Sequence, residues 1–429
     1  MVVNRRGRHV RRKALLKARR WGASVCSVLG AAAVLSVSFT SGAVAADAQS
    51  EQWYLSAMKT DEMWKTSTGE GVKVAVIDSG VNPDTPSLRG QVVTGEGAVG
   101  VTYKATEDFE GHGTTMAELI AGTGAGGGLL GLAPGAKIVP YRISLKGLRE
   151  AEAKRAPDLA DVIRAVADSD VKIISMSFGK DVDTEDELEA IKYAHAKGKL
   201  MFASTGNEAE RNSRIGYPAA YPYVVGVAAS DESGKVAKFS EHGNYVDLAA
   251  PGINMPGWCD NSFRSYCDQG GTSAATALTS ASAALVWSAH PDWTANQVLN
   301  SLIETAGRDW ARDDPSTYLG YGLIRPRKVL ENKNFDPGPA DTDPLARENA
   351  VGLLDDEGKP VKPANSPSPA PSKGTASSAP GAEDDGTSAV ASDTDSTGTT
   401  TLWVALGAAA AVLVVGAGAF AVIRSRRGA

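Results

Sequence analysis

Only three cysteines and five histidines occur in 429 residues, no acid falls in the first 45, and no charge interrupts Leu402 to Ile423. Each scarcity closes off readings. With no acid to balance them, the nine Lys and Arg of residues 1–45 make a basic start, followed by an apolar run from Trp21 to Phe39 and the small-residue site Ala43-Val44-Ala45. That is the pattern of a secretory signal peptide ending at residue 45. Arg11 to Lys17, RRKALLK, loosely matches a twin-arginine signal, which leaves the export route open, and an uncleaved anchor is the alternative to removal. The 22 uncharged residues of 402–423 are long enough, at about 1.5 Å each, to cross about 30 Å of hydrocarbon. Arg424, Arg426 and Arg427 follow at once and place residues 424–429 in the cytoplasm. The expectation is a single-pass protein of the cell membrane whose folded part lies outside the cytoplasm.

Between that span and the folded part, Asp336 to Thr401 is rich in Pro, Ser, Asp, Gly and Thr, with PANSPSPAPSKGTASSAPG at its centre. Such a composition cannot bury enough apolar surface to offset chain entropy, so residues 336–401 are expected to form a disordered tether. Residues 46–335 remain for the fold, and one domain with one core suits that length. Loss of residues 1–45 takes the formal net charge from −6 to −15, and an exported acidic domain argues against a nucleic-acid partner. Cys26 goes with the signal, leaving Cys259 and Cys267 as an even pair in an oxidising compartment. A disulfide closing the loop CDNSFRSYC is expected.

Short apolar runs bounded by Gly, Asp, Asn or Ser read as buried strands at 72–78, 136–144, 171–179, 199–207, 223–230 and 245–252. Helical patterns at about 112–122, 158–169 and 184–197 separate several of them. Strand, helix, strand in repetition gives an α/β fold, a mainly parallel sheet with helices on both faces. Ligands of such a sheet bind beyond the carboxyl ends of its strands.

Four polar residues stand at such places. Asp78 ends the strand VKVAVID, and taken alone it fits a turn or a helix cap. His112 opens a helix between two glycines, a setting none of the other histidines shares. His9 lies in the signal, His195 in a surface-type helix, His242 in a polar loop, and His290 at a helix end stopped by Pro291. Ser273, in GGTSAATALTS, begins a helix running from Thr272 to about Ala289 that is small or apolar on nearly every side and is therefore buried. A serine there can simply cap the helix. Two preceding glycines, however, suit the close approach of a substrate backbone, and the helix N-terminus offers free N–H groups to a developing oxyanion. Asn207, in STGNE, follows a buried strand and carries an amide donor.

Acid, imidazole, amide and serine in these settings resemble the subtilases, the subtilisin-type serine proteases. The resemblance runs over about 69–330 through VIDSGV, GHGTTMAELIAG, ISMSFG, STGNE, YPAAYPYVVGVAASDESGKVAKFSEHGNYVDLAAPG and GGTSAA, and the order Asp, His, Ser is that of the fold. It implies a three-layer catalytic domain at 69–335 and a triad in which His112 is the general base, Asp78 orients it and Ser273 is the nucleophile. Asn207 and the Ser273 N–H would form the oxyanion hole. It also implies a polypeptide substrate added as a strand along Ser177, Phe178 and Gly179, with Ser204, Thr205 and Gly206 near the floor of the first pocket. No cofactor and no metal are carried over, since no acidic cluster matches the calcium sites of secreted subtilisins.

With a signal, an anchor after a Pro-rich tether, and the segment EQWYLSAMKTDEMWKTSTGEG, the closer likeness is to the mycosins, membrane-anchored subtilases of actinobacterial type VII secretion. That likeness implies processing of a secreted protein in company with secretion-complex proteins. The alternative is a mainly structural part of such a complex with dispensable proteolysis. A non-proteolytic hydrolase is disfavoured by the missing G-x-S-x-G elbow. Two departures stand out: Ala274 and Ala277 occupy positions where the family usually has Met and Pro, and the missing proline is the expected place for altered geometry. Residues 46–68 are too short for a separate inhibitory prodomain of the usual kind, and are either an extension packed on the domain or a remnant trimmed on maturation.

Overall fold

Alternation of side chains along a strand sends neighbours to opposite faces, and here both faces are apolar. In the computed structural model, which describes residues 45–93, 105–143, 157–212 and 216–349, six such strands form one sheet. They are β1 (Lys73–Asp78), β2 (Lys137–Arg142), β3 (Ile173–Met176), β4 (Leu200–Ser204), β5 (Val224–Ser230) and β6 (Leu248–Pro251). All neighbours are parallel, in the order β2-β1-β3-β4-β5-β6. Each predicted strand is present with its ends trimmed. The strand order reverses at β1, so a crevice opens at the carboxyl end of that strand, where Asp78 stands.

The helices around this sheet include α1 (Ala45–Ser50), α2 (Trp53–Met58), α3 (Thr60–Met63), α4 (His112–Ala121), α5 (Leu159–Ala167), α6 (Glu185–Ala196), α7 (Ala209–Asn212), α8 (Thr272–Ala289), α9 (Ala295–Thr305) and α10 (Pro326–Glu331). Val74, Val76, Ile173 and Phe202 point into one core shared with α4 and α8, whereas Ala75, Ile77, Ile174 and Met201 point into another shared with α5 and α6. Sheet and two helical layers therefore make the expected three-layer architecture. Small residues let α8 lie close under the strands: Ala274, Ala275, Ala277, Ala281, Ala283 and Ala284 are all fully buried. Local caps set the helix starts, as at α6, where the Thr184 hydroxyl accepts from Glu187 N, and at α9, where Thr294 and Gln297 form a reciprocal capping box.

The expected disulfide joins Cys259 to Cys267, with Cα atoms 5.3 Å apart. It closes a hairpin of two antiparallel strands, β7 (Pro256–Trp258) and β8 (Tyr266–Asp268), standing just before α8 in the chain.

Residues 46–68, for which sequence left two fates open, pack into the main core. Tyr54 and Met63 are buried in the same cluster as Leu119, Leu278 and Leu302. Side chains then fasten the segment: Trp53 Nε1 donates to Ile253 O at 3.0 Å, Trp64 Nε1 to Leu132 O at 2.9 Å, and Gln52 brackets Leu130 through both its amide groups. Tyr54→Ala should empty a large buried volume and lower unfolding stability by about 3–5 kcal/mol, measured by denaturant unfolding.

One boundary is corrected. Residues 336–349, expected as the start of a disordered tether, instead dock on the domain. Gly338 O accepts from Gln297 Nε2, Leu345 is 2% exposed within the main core, and Asn349 Oδ1 accepts from Tyr223 N at 2.8 Å. A few anchoring side chains outweigh a composition that averages to linker. The signal (1–45, except its last residue), the remainder of the tether, the expected membrane helix at 402–423 and the tail at 424–429 lie outside the described residues. Among the described residues no helix is long and apolar enough to cross a membrane.

Candidate active site

Asp78 arrives at the end of β1 with no exposed surface. Its Oδ1 accepts from Ser79 N at 2.7 Å and lies 2.8 Å from His112 Nδ1. A carboxylate only accepts, so this contact places the imidazole proton on Nδ1 and leaves Nε2 as the base. His112 is the first residue of α4, and the glycine after it is sterically required. A Cβ at Gly113 would stand 2.1 Å from Gly80 O and 3.0 Å from Asp78 Cβ.

The loop leading into His112 is held by Asp108, a residue that sequence reasoning missed. Its Oδ1 accepts from Ser79 Oγ, Glu110 N and Gly111 N at 2.9, 3.0 and 2.9 Å, and its Oδ2 from Thr114 N and Oγ1 at 2.9 and 2.6 Å. The signal available in sequence was an acid four residues before the histidine, a spacing suited to capping the first turn.

Burial opposes charge on His112, yet Asp78, with Asp108 and Glu110 nearby, outweighs it and pushes the imidazole pKa up to about 9. Imidazolium cannot take a proton, so base catalysis should grow as pH rises through that value. The acid limb of kcat/KM is therefore expected near pH 9. Removing one of the flanking charges in Glu110→Gln should move it downward, and a pH profile on a peptide amide checks both.

Ser273 is the second residue of α8 and the half-exposed member of an otherwise buried first turn. Its hydroxyl donates to Ser177 O at 2.8 Å, while Ser177 Oγ donates to Ser273 O at 3.0 Å. The serine hydroxyl is thus held on the backbone just after β3, and catalytic hydrogen bonds commonly tighten only when substrate binds. Ala277 lies inside the regular α8, fully buried, and supplies the backbone N–H that proline would lack. α8 runs unbroken through this position from Thr272 to Ala289.

Asn207 stands beside the same helix end. Its Oδ1 accepts from Thr272 N at 2.9 Å and Thr272 Oγ1 at 3.0 Å. A backbone N–H is a donor only, so the amide orientation is fixed and Nδ2 is left to donate. Ser273 N lies in the first helical turn, where the helix itself supplies no acceptor.

The residues expected to bind substrate divide by role. Gly179 is exposed and Phe178 half-buried, but Ser177 and Ser204 are buried at 2% exposure, and Thr205 Oγ1 donates to Val227 O. Gly206 N donates to the Thr272 hydroxyl at 3.3 Å, bringing this loop against the nucleophile helix. Among the described residues no group of three or more His, Cys, Asp or Glu side chains could hold a metal ion.

A buried carboxylate, an oriented imidazole, a serine at a helix N-terminus and a fixed amide donor are the groups that a serine hydrolase uses to activate its nucleophile and stabilise an oxyanion. Residues 69–322 match the model of the Subtilase family. The chain belongs to this family of serine endopeptidases. It is 34% identical over 283 residues to the minor extracellular protease Epr of Bacillus subtilis, covering 64% of this chain and 41% of that protein. To subtilisin BL of Lederbergia lenta it is 33% identical over 265 residues, 60% of this chain and 92% of that one. Among solved structures, MycP1 from the ESX-1 type VII secretion system shares 27% identity at a TM-score of 0.57, with 68% of this chain and 88% of that chain covered. The MycP3 protease from the ESX-3 system shares 28% at 0.54, covering 68% and 90%.

Proposed function

We propose that this chain is an exported, membrane-held endopeptidase that processes a protein delivered by a type VII secretion pathway. The observation that carries the chemistry is the 2.8 Å contact between His112 Nδ1 and buried Asp78, with Ser273 at the N-terminus of α8 and Asn207 beside it. His112 Nε2 takes the Ser273 hydroxyl proton as Oγ attacks the scissile carbonyl. Asn207 Nδ2 and Ser273 N–H receive the oxyanion. His112 then protonates the leaving amine, and water hydrolyses the acyl-enzyme by the same proton path in reverse. Exposed Gly179 and half-buried Phe178 offer the edge along which a substrate strand would align.

The setting rests on two supports of another kind. The termini carry the charge and apolar patterns of a signal and an anchor, and the likeness to MycP1 and MycP3 joins the catalytic domain to proteases described from secretion systems. Three measurements test the reading. A fluorophosphonate probe should label Ser273 in the full chain, and the labelled protein should sediment with membranes. Uncut precursors should accumulate by mass in the secreted proteins of a Ser273→Ala strain. A secreted set unchanged by Ser273→Ala in a strain whose parent labels would refute the processing role while leaving the enzyme intact.

A further inference from the structure

We propose that Glu118 is a positioning residue, which ties the disulfide-closed hairpin to α4 so that the hairpin sets the spacing between His112 and Ser273. Glu118 lies on α4 six residues after His112 and has no exposed surface. Nothing in the catalytic steps uses it. Its Oε2 accepts from Tyr266 OH at 2.8 Å and its Oε1 from Thr85 Oγ1 at 2.7 Å. Tyr266 belongs to β8 beside Cys267, and its ring stacks on Trp258 of β7 with centroids 3.9 Å apart. The carboxyl therefore holds β8 beside the disulfide, and Trp258 of β7 stacks on the ring that it holds.

A second link runs one turn nearer the base. Thr115 Oγ1 accepts from Trp258 N at 2.9 Å and donates to Gly111 O at 2.8 Å, the backbone just before His112. Thr115 and Glu118 are three apart and share one helix face. The hairpin turn also presses on that backbone, since a Cβ at Gly111 would stand 2.8 Å from Asp260 O. At its other end the hairpin runs straight into the nucleophile. Asp268 Oδ1 accepts from Met255 N at 3.2 Å and Gly270 N at 3.0 Å, and Gly271 N donates to Gly252 O at 2.7 Å, two residues before Ser273. One hydrogen-bonded path thus joins the start of α4 to the start of α8.

The chemistry of Glu118 suits placement better than stability. Burial pushes its pKa up to about 7, and a carboxyl held by neutral donors contributes less than an apolar side chain of similar volume would. What it adds is direction: two acceptor oxygens fix where Tyr266 and Thr85 stand. Misplacing catalytic groups by about 1 Å costs on the order of a hundredfold.

The inference rests on the catalytic reading of His112 and Ser273, and the test separates the two. Active sites of the full chain are titrated with a fluorophosphonate, and kcat and KM are measured per titrated site for Tyr266→Phe, Glu118→Leu and Glu118→Gln. Tyr266→Phe should lower kcat roughly tenfold and Glu118→Leu roughly a hundredfold, with KM little changed. Glu118→Gln keeps the volume, a carbonyl acceptor and a group that can bond the Tyr266 oxygen, so it should restore most of kcat. Should Glu118→Leu not fold, Tyr266→Phe, which loses one hydroxyl, carries the test. A purely structural role would lower the melting temperature and leave kcat per titrated site at the parent value, which overturns the inference. A folded parent that takes no label removes the catalytic reading and the inference with it.

Discussion

Ser273→Ala is expected to reduce kcat on the order of a millionfold, the size of loss found when a subtilisin triad loses its serine. The expectation follows from geometry rather than from the family match alone. Ser273 Oγ is the hydroxyl at the mouth of α8, its backbone N–H is unclaimed by the helix, and the buried Asp78 already holds His112 in the tautomer that makes Nε2 a base. His112→Ala should cost about as much, and the double variant no more than either alone, because serine and imidazole act as one unit. Stability should barely follow. The serine side chain gives up one hydrogen bond to Ser177 O, worth about 1 kcal/mol, at a half-exposed site. Steady-state rates on a peptide amide, set beside denaturant midpoints, separate loss of chemistry from loss of fold. A double variant markedly slower than both singles would show that a group other than this pair supplies the chemistry.

Much of the architecture was legible in the chain because it depends on local pattern. Runs such as KVAVID and LMFAS are apolar at both even and odd positions, which only a strand covered on both faces requires, and their ends coincide with Asp78 and with the loop to Asn207. α8 was legible for the same reason, as a helix of small residues with no polar face. The disulfide followed from compartment and count. What stayed hidden depends on partners far apart in sequence. Thr272 fastens Asn207 across 65 residues, Ser177 holds Ser273 across 96, and Tyr266 reaches Glu118 across 148. In the linear sequence Glu118 is an acid in a helix, with nothing to say that a phenol will cover it. Leu345 is a single leucine in a linker-like stretch, and a single residue does not move a composition. Asp108 is intermediate: its spacing from His112 hinted at a cap, but the five groups it gathers include Ser79 from the end of β1.

Asn207→Ala should lower kcat on the order of a hundred- to a thousandfold while KM stays near the parent value; the magnitude is that of the corresponding asparagine in subtilisin. An oxyanion donor acts on charge that exists only in the tetrahedral state, so its loss falls on kcat and not on ground-state binding. The structure adds how that donor is aimed. Thr272 N and Oγ1 both donate to Asn207 Oδ1, at 2.9 and 3.0 Å, and the Thr272 hydroxyl in turn accepts from Gly206 N at 3.3 Å. The residue beside the nucleophile therefore sets the amide that stabilises the nucleophile's product. Thr272→Val keeps the shape and the backbone donor but removes the hydroxyl, so one of two restraints on Asn207 is lost. About 0.5–1.5 kcal/mol of alignment should go with it, roughly two- to tenfold in kcat. In an Asn207→Ala background the same change should cost little, because the group it aims is gone. A double-mutant cycle on kcat measures this directly. Additive losses would mean that Thr272 acts on Ser273 through the helix rather than through the amide, and would move the aiming function from the asparagine to the start of α8.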